Sequence, residues 1–373
     1  MLFQQFLRVL GATSVLTAGA NASDYDGFNT SALIPFVDVD SAIPFTDYQL
    51  VNFWFSSDIS STNYTPFVDT GSTGMVISAI DIPEWNLSEA SCYPSGWEYL
   101  SSSKRLYTGN WIPKDVYFNL EDPDHEVIHS QVPVLCVTSV TICNGTTKYN
   151  STVNEGSCPT DPDGYLPPVT EYPTGIRIMG VGFDRQGDGM PQGTPDKNPF
   201  LNVVRIGGTL EDFWPGYIIT KEGVTIGLTE ENMEGMEYVW LPMIDSTTPR
   251  NPFDWGAIPA CMSVDGATCS VGTALLDTGL SNSYITLPSN ASVSLSPNST
   301  LLVSGSDVKI DFGVALDEFV VGENVTEGVT PTKVSVALND ARVPFVNTGR
   351  HVYRAWEVAF DAPLGRVGFR PVS

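Results

Sequence analysis

Positive charge is scarce in this sequence. Its 373 residues carry 18 Lys and Arg against 43 Asp and Glu, a formal charge of −25. Phosphate recognition needs a basic face, so nucleic acid is excluded as a partner, and an anionic membrane surface with it. Charge of either sign is also low, at 16% of residues, so Ser, Thr and Asn must cover much of the surface. The chain does not read as disordered, because 42% of it is hydrophobic and 11% aromatic. Beyond its first residues no apolar run approaches the ~18 needed to span a bilayer. No Gly-x-Ser-x-Gly, phosphate loop or dinucleotide fingerprint occurs, and there are only three histidines, so serine-triad and nucleotide chemistry lack their parts. The length admits one large or two mid-sized domains.

The opening residues point to a compartment. Leu10–Ala20 is a short apolar run behind Arg8, and Ala20-Asn21-Ala22 is a small-x-small cleavage site. Residues 1–22 therefore read as a secretory signal peptide. An even count of six cysteines agrees with an oxidising compartment. So do Asn-x-Ser/Thr sequons at Asn29, Asn63, Asn86, Asn144, Asn150, Asn290, Asn298 and Asn324. The closing Gly-Phe-Arg-Pro-Val-Ser has no hydrophobic tail of the kind a lipid-linked anchor requires. A soluble, secreted, extracellular monomer is expected.

Short β-rich runs dominate the rest. Tyr48–Phe55, Pro66–Val68, Val132–Val137, Gly216–Ile219, Val224–Ile226, Leu275–Leu276 and Lys333–Ala337 are separated by Gly and Pro, which number 33 and 27. Pro199–Arg205 is the one short helix candidate. An all-β fold follows. The cysteines are expected in disulfides. Cys261 and Cys269 flank Asp265-Gly266, a two-residue hairpin turn, and are expected to bridge it. Cys92, Cys136, Cys143 and Cys158 allow three connectivities.

One internal echo carries chemistry. Phe67-Val68-Asp69-Thr70-Gly71-Ser72 is answered by Leu275-Leu276-Asp277-Thr278-Gly279-Leu280. Each is an apolar strand end followed by Asp-Thr-Gly, in which Gly permits the turn and Thr can lock the loop. Two such loops meeting about a pseudo-twofold axis would bring two carboxylates to ~3 Å. Like charges that close share one proton. The ionised member can then activate a water while the protonated one polarises a carbonyl: peptide hydrolysis with neither a covalent intermediate nor a cofactor.

With these loops the chain resembles the pepsin-like aspartic peptidases. Phe67–Ser78 is similar to that family's first active-site loop and following strand, and Arg177–Phe183 to its apolar-apolar-Gly strand. Gly216–Gly227 with Trp240-Leu241-Pro242 resembles the end of its first lobe. Ala274–Leu280 resembles the second loop, and Trp356–Pro371 the closing hairpin. The resemblance implies two pseudo-twofold-related β lobes, 23–235 and 236–373, with a cleft between them. It makes Asp69 and Asp277 the catalytic dyad, with Thr70, Gly71, Thr278 and Gly279 bracing the loops and Ser72 supporting Asp69. Tyr107, within Leu106–Val116, is its candidate flap tyrosine over a polypeptide substrate with apolar side chains near the scissile bond.

Departures from the family open a second reading. Leu280 stands where a Ser or Thr would support the second Asp. Val346-Asn347-Thr348-Gly349 replaces the second apolar-apolar-Gly, and Val76 replaces a Trp. No Lys or Arg lies between Arg8 and Lys104, and Asp24, Asp26, Asp38 and Asp40 fall in that stretch, so a basic prosegment has no residues to be built from. The alternative is a catalytically weak or inactive homologue that binds a peptide or another ligand without cutting it. A minor alternative is a zinc peptidase through His125-Glu126-Val127-Ile128-His129. That motif needs a helix, whereas Pro123, Pro133 and the β-branched residues around it favour a strand.

Overall fold

The structure is a computed structural model that describes residues 22–37, 43–83, 85–145, 147–160, 164, 167–184, 190–244 and 253–372. Residues 1–21 of the expected signal peptide lie outside them. The described residues are nearly all β, in three sheets: one of ten strands between Phe53 and Ile206, one of seven between Ile258 and Asn347, and one of six. Helix is confined to single turns such as Leu87–Ala90, where Asn86 accepts a bond from the Ser88 N–H.

The two larger sheets repeat one arrangement. Thr73–Ser78 is buried along its whole length, as its continuous apolar and small residues require of an inner strand. Arg177–Val181 runs beside it antiparallel, with Ile178 opposite Val76. On its other edge the same strand lies parallel to Phe67–Asp69, with Ile178 opposite Phe67. In the seven-stranded sheet, Phe345–Asn347 is inserted in the same way. Asn347 lies opposite Tyr284 on an antiparallel neighbour and opposite Leu275 on a parallel one. Phe67 and Leu275 each stand two residues before an Asp-Thr-Gly aspartate, and Val76 and Tyr284 each stand seven after it. The registers therefore make Asn347 the counterpart of Ile178. This is the all-β, two-lobed architecture that the resemblance implies.

The six-stranded sheet joins the halves. Its order is Ala32–Pro35, Gly223–Ile226, Gly216–Ile219, Trp356–Asp361, Arg366–Pro371 and Glu237–Trp240. Asp361 is fully buried at its centre. It accepts bonds from Tyr25 Oη, Trp214 Nε1 and Arg366 Nε, each at 2.8 Å. Arg366 also pairs with Asp24 at 3.0 Å and lies 3.9 Å from the Tyr238 ring.

Three expectations need correction. Pro199–Arg205 is not helical: Asn198 caps a turn by accepting the Phe200 N–H, and Val203–Ile206 joins the large sheet against Ile128–Ser130. The β-branched Val203, Val204 and Ile206 suit that strand better than a helix. Within Tyr48–Phe55 only Phe53–Trp54 is strand. Cys261 and Cys269 do bridge their hairpin, whose Asp265 and Gly266 both have positive φ, but not every cysteine pairs. Cys143 joins Cys158, while Cys92 is exposed and free, and Cys136 is free within the core. Cys136 faces inward between Ile77 and Asn110 on an inner strand, out of reach of a surface turn. Burial pushes its thiol up to about 12.

Two buried titratable groups make stability depend on pH in opposite directions. Asp317 has an Oδ1 without a hydrogen-bond partner among the described residues, and burial pushes its carboxyl from 3.8 up to about 7. A raised carboxyl stabilises the fold most fully below its ordinary value and loses that effect as pH rises through about 7. Burial pushes His351 from 6.5 down to about 4. Its contribution is present above 6.5 and lost as pH falls to about 4. Asp317→Asn removes one side of this balance. Relative to the native chain, the variant is expected to gain stability between pH ~4 and ~7.5, by a few kcal/mol at most. Urea midpoints at both pH values check this, and an unchanged difference would show that Asp317 titrates normally. Asp361→Ala strands a buried guanidinium and is expected to cost about 3–5 kcal/mol in the same assay.

Candidate active site

The two Asp-Thr-Gly loops meet. The Thr70 N–H donates to Thr278 Oγ1, and the Thr278 N–H to Thr70 Oγ1, both at 3.0 Å. Thr278 Oγ1 donates onward to the Val68 carbonyl and Thr70 Oγ1 to the Leu276 carbonyl. Each threonine thereby ties its own loop to the strand that leads into the other. All of these groups are buried, so no water competes for the bonds.

This brace fixes two carboxyls against each other. Asp277 is hydrogen-bonded to Asp69. Asp69 Oδ1 accepts the Gly71 N–H and Asp277 Oδ1 the Gly279 N–H, each at 2.8 Å. The glycines are needed for the approach. A Cβ on Gly71 would stand 2.5 Å from the Asp277 carboxyl carbon, and one on Gly279 would stand 2.6 Å from Asp69 Oδ1. Burial holds the Asp69 carboxyl above its ordinary value. Bonds from Ser72, Gly71 and Asp277 and the charge of Arg350 pull it back only in part.

The outer oxygens are served differently in the two halves. Ser72 Oγ donates to Asp69 Oδ2 at 2.7 Å. Leu280 has nothing to donate, and Asn347 supplies what it lacks: Asn347 Nδ2 donates to Asp277 Oδ2 at 2.6 Å. The amide's orientation is fixed because its Oδ1 accepts the Gly349 N–H at 3.0 Å. In the sequence, Leu280 and Asn347 stand as two separate departures from the repeated motif. The detectable signal was their pairing: a lost donor in one motif beside a polar residue where the other motif expects an apolar one.

The dyad lies at the floor of a cleft with two cavities, of about 690 and 600 Å³. A hairpin stands over both, with Ser102 at its tip lining each. It runs through Ser95–Leu100 and the start of Arg105–Phe118, so Leu106–Val116 as expected is only partly correct. That strand pairs with Ile128–Ile142 along its whole length, and from Trp111 onward it no longer has Ser95–Leu100 on its other edge. Tyr107 does line the first cavity. It is buried there with Val76, Trp111 and Ile178.

His125 and His129 do not share a helix. His129 is on the strand Ile128–Ile142 and bonds Asp115, whereas His125 precedes that strand and bonds Asp122. Among the described residues no three His, Cys, Asp or Glu side chains cluster as metal ligands.

No protein-family model and no curated protein matches the chain. Among solved structures, the crystal structure of an aspartic proteinase from Irpex lacteus is similar at a TM-score of 0.47 and 13% identity. The match covers 92% of this chain and 98% of that one.

Asn347→Leu removes a donor that favours the ionised form of the carboxyl pair. The pair is expected to release its first proton about one unit higher, read by carbon-13 NMR titration of labelled aspartate. Adding Leu280→Thr is expected to reverse part of the change. An unshifted titration in Asn347→Leu would show that the bond does not couple to the dyad.

Proposed function

We propose that the chain is an aspartic-type endopeptidase, secreted and extracellular, acting on polypeptides at acidic pH. One observation carries this reading: two carboxyls from equivalent loops share a hydrogen bond at the base of a cleft, each held by a backbone N–H and a side-chain donor. Such a pair retains one proton because both members cannot ionise at that distance. The ionised member takes a proton from a water, and the hydroxide equivalent attacks the scissile carbonyl. The protonated member donates to the carbonyl oxygen, and the proton returns to the leaving nitrogen as the tetrahedral intermediate collapses. The hairpin carrying Tyr107 narrows the cleft from above, favouring an extended chain in which backbone groups face protein rather than water.

The non-cutting alternative drew support from Leu280. The Asn347 bond weakens that support, since the outer oxygen of Asp277 has a donor after all. Seven of the eight sequon asparagines are exposed, with Asn63 half-buried, which suits glycosylation in a secretory compartment.

Digestion of a denatured protein tests the proposal. Turnover is expected over roughly pH 2.5 to 6, falling as the pair loses its last proton. Asp69→Asn and Asp277→Asn should each lose on the order of 10²–10⁴-fold. A folded, secreted native chain without turnover in that range would overturn the activity. Undiminished turnover in both variants would overturn the site. Leu280→Thr alone is expected to change little.

A further inference from the structure

The cleft carries charge of the opposite sign to the rest of the molecule. Apart from Asp69 and Asp277, the charged residues among the described residues lining its two cavities are Arg105, Arg177 and Arg342. No other described carboxylate lines these cavities, in a chain with 43 Asp and Glu against 18 Lys and Arg. None of these three arginines forms an ion pair with a carboxylate among the described residues. Arg105 stands beside the hairpin tip, opposite Leu100, and its charge acts on the Tyr107 hydroxyl. Arg177 is half-buried across the same cavity, and its Nε has no hydrogen-bond partner among the described residues. Arg342 is exposed at the rim of the second cavity. Behind Tyr48, which also lines the first cavity, the buried Arg350 guanidinium lies 4.3 Å from the tyrosine ring.

We infer that this cleft selects acidic polypeptide segments, with Asp or Glu side chains on both sides of an apolar scissile pair. The inference rests on reading the cavities as the substrate cleft. Phe67 and Ile178 on one side, Leu275 and Phe345 on the other, and Leu280 lining both cavities give apolar walls near the dyad. Arg177 comes three residues before Gly180, which lies opposite Asp69, Arg105 stands beside the hairpin tip, and Arg342 is exposed, so each is placed to meet substrate side chains that flank the scissile pair. Guanidinium groups without a carboxylate of their own can take a bidentate carboxylate without first breaking an ion pair. The molecule's remote negative charge is damped beyond ~8 Å at physiological salt, so contact with the arginines outweighs it. Substrate carboxylates ionise near pH ~4, so selection must strengthen as pH rises through that value.

Matched peptides differing only by Glu, Gln or Lys at the flanking positions test this. At pH ~5.5 the Glu peptide is expected to exceed its Gln twin in kcat/KM by about tenfold, as several partly exposed pairs together would give. The ratio should approach one at pH ~3, where Glu is neutral. Arg105→Gln and Arg342→Gln should each cut the preference severalfold, and Arg177→Lys should keep most of it. Lys309→Gln, at an outer strand paired with Glu318, should leave the ratio untouched. Equal rates for all three peptides at pH ~5.5 would overturn the inference. If no peptide is cut, fluorescence anisotropy of the same peptides on the native chain decides. Tighter binding of the Glu peptide than the Lys peptide would uphold acidic selection while the peptidase reading fails. Equal or undetectable binding would overturn acidic selection too.

Discussion

Reciprocal bonding between Thr70 and Thr278 is the constraint on which the rest depends. Two loops that are 208 residues apart in sequence exchange backbone and side-chain bonds in a buried setting. That exchange sets the separation of Asp69 and Asp277 more tightly than sheet packing alone would. Tyr353 reinforces it from below, its hydroxyl 3.2 Å from Thr70 Oγ1. A proton can be shared only if the two carboxyls stay within hydrogen-bond reach. The acid–base character of the site is therefore a property of the brace as much as of the aspartates.

Much of this was legible in the sequence because it is local. Asp-Thr-Gly after an apolar run encodes both the turn and the carboxylate's N–H partner within three residues. The Cys261–Cys269 bridge is equally local, since its turn lies between its cysteines. The closing hairpin Trp356–Pro371 also reads directly. What was not legible depends on neighbours brought in from elsewhere. Asn347 supports Asp277 from 70 residues away, and nothing in its own segment says which oxygen it will meet. Cys136 and Cys92 stay free against the even count, because parity carries no information on which strand is internal. The strand half of Pro199–Arg205 is set by the edge of Ile128–Ile142, which short-range periodicity does not contain.

The charge distribution also takes on structure. The large negative total belongs to the outside, where carboxylates meet water and raise solubility. Inside, the few ionisable groups are placed individually. Asp361 is met by a guanidinium, Asp317 is left to hold its proton, and burial keeps His351 neutral although it meets the Thr330 carbonyl. The cleft is a third environment, with two aspartates on its floor and arginines along its walls. Net charge alone distinguishes none of these, which is why it excluded partners more readily than it indicated one.

The six-stranded sheet has a consequence for how the chain is made. Ala32–Pro35 pairs with Gly223–Ile226, and Gly216–Ile219 pairs with Trp356–Asp361. Asp361, which bonds Tyr25, lies 336 residues after it. During synthesis the first large sheet has all its strands long before this third one can close. Until the final hairpin emerges, Ala32–Pro35 and the Gly216–Ile226 hairpin present unpaired edges and an unmet Tyr25. Such late, long-range pairing is slow and leaves edges open to other chains. The junction of the two halves is thus the last part to form, and the step at which a nascent chain most needs protection from self-association.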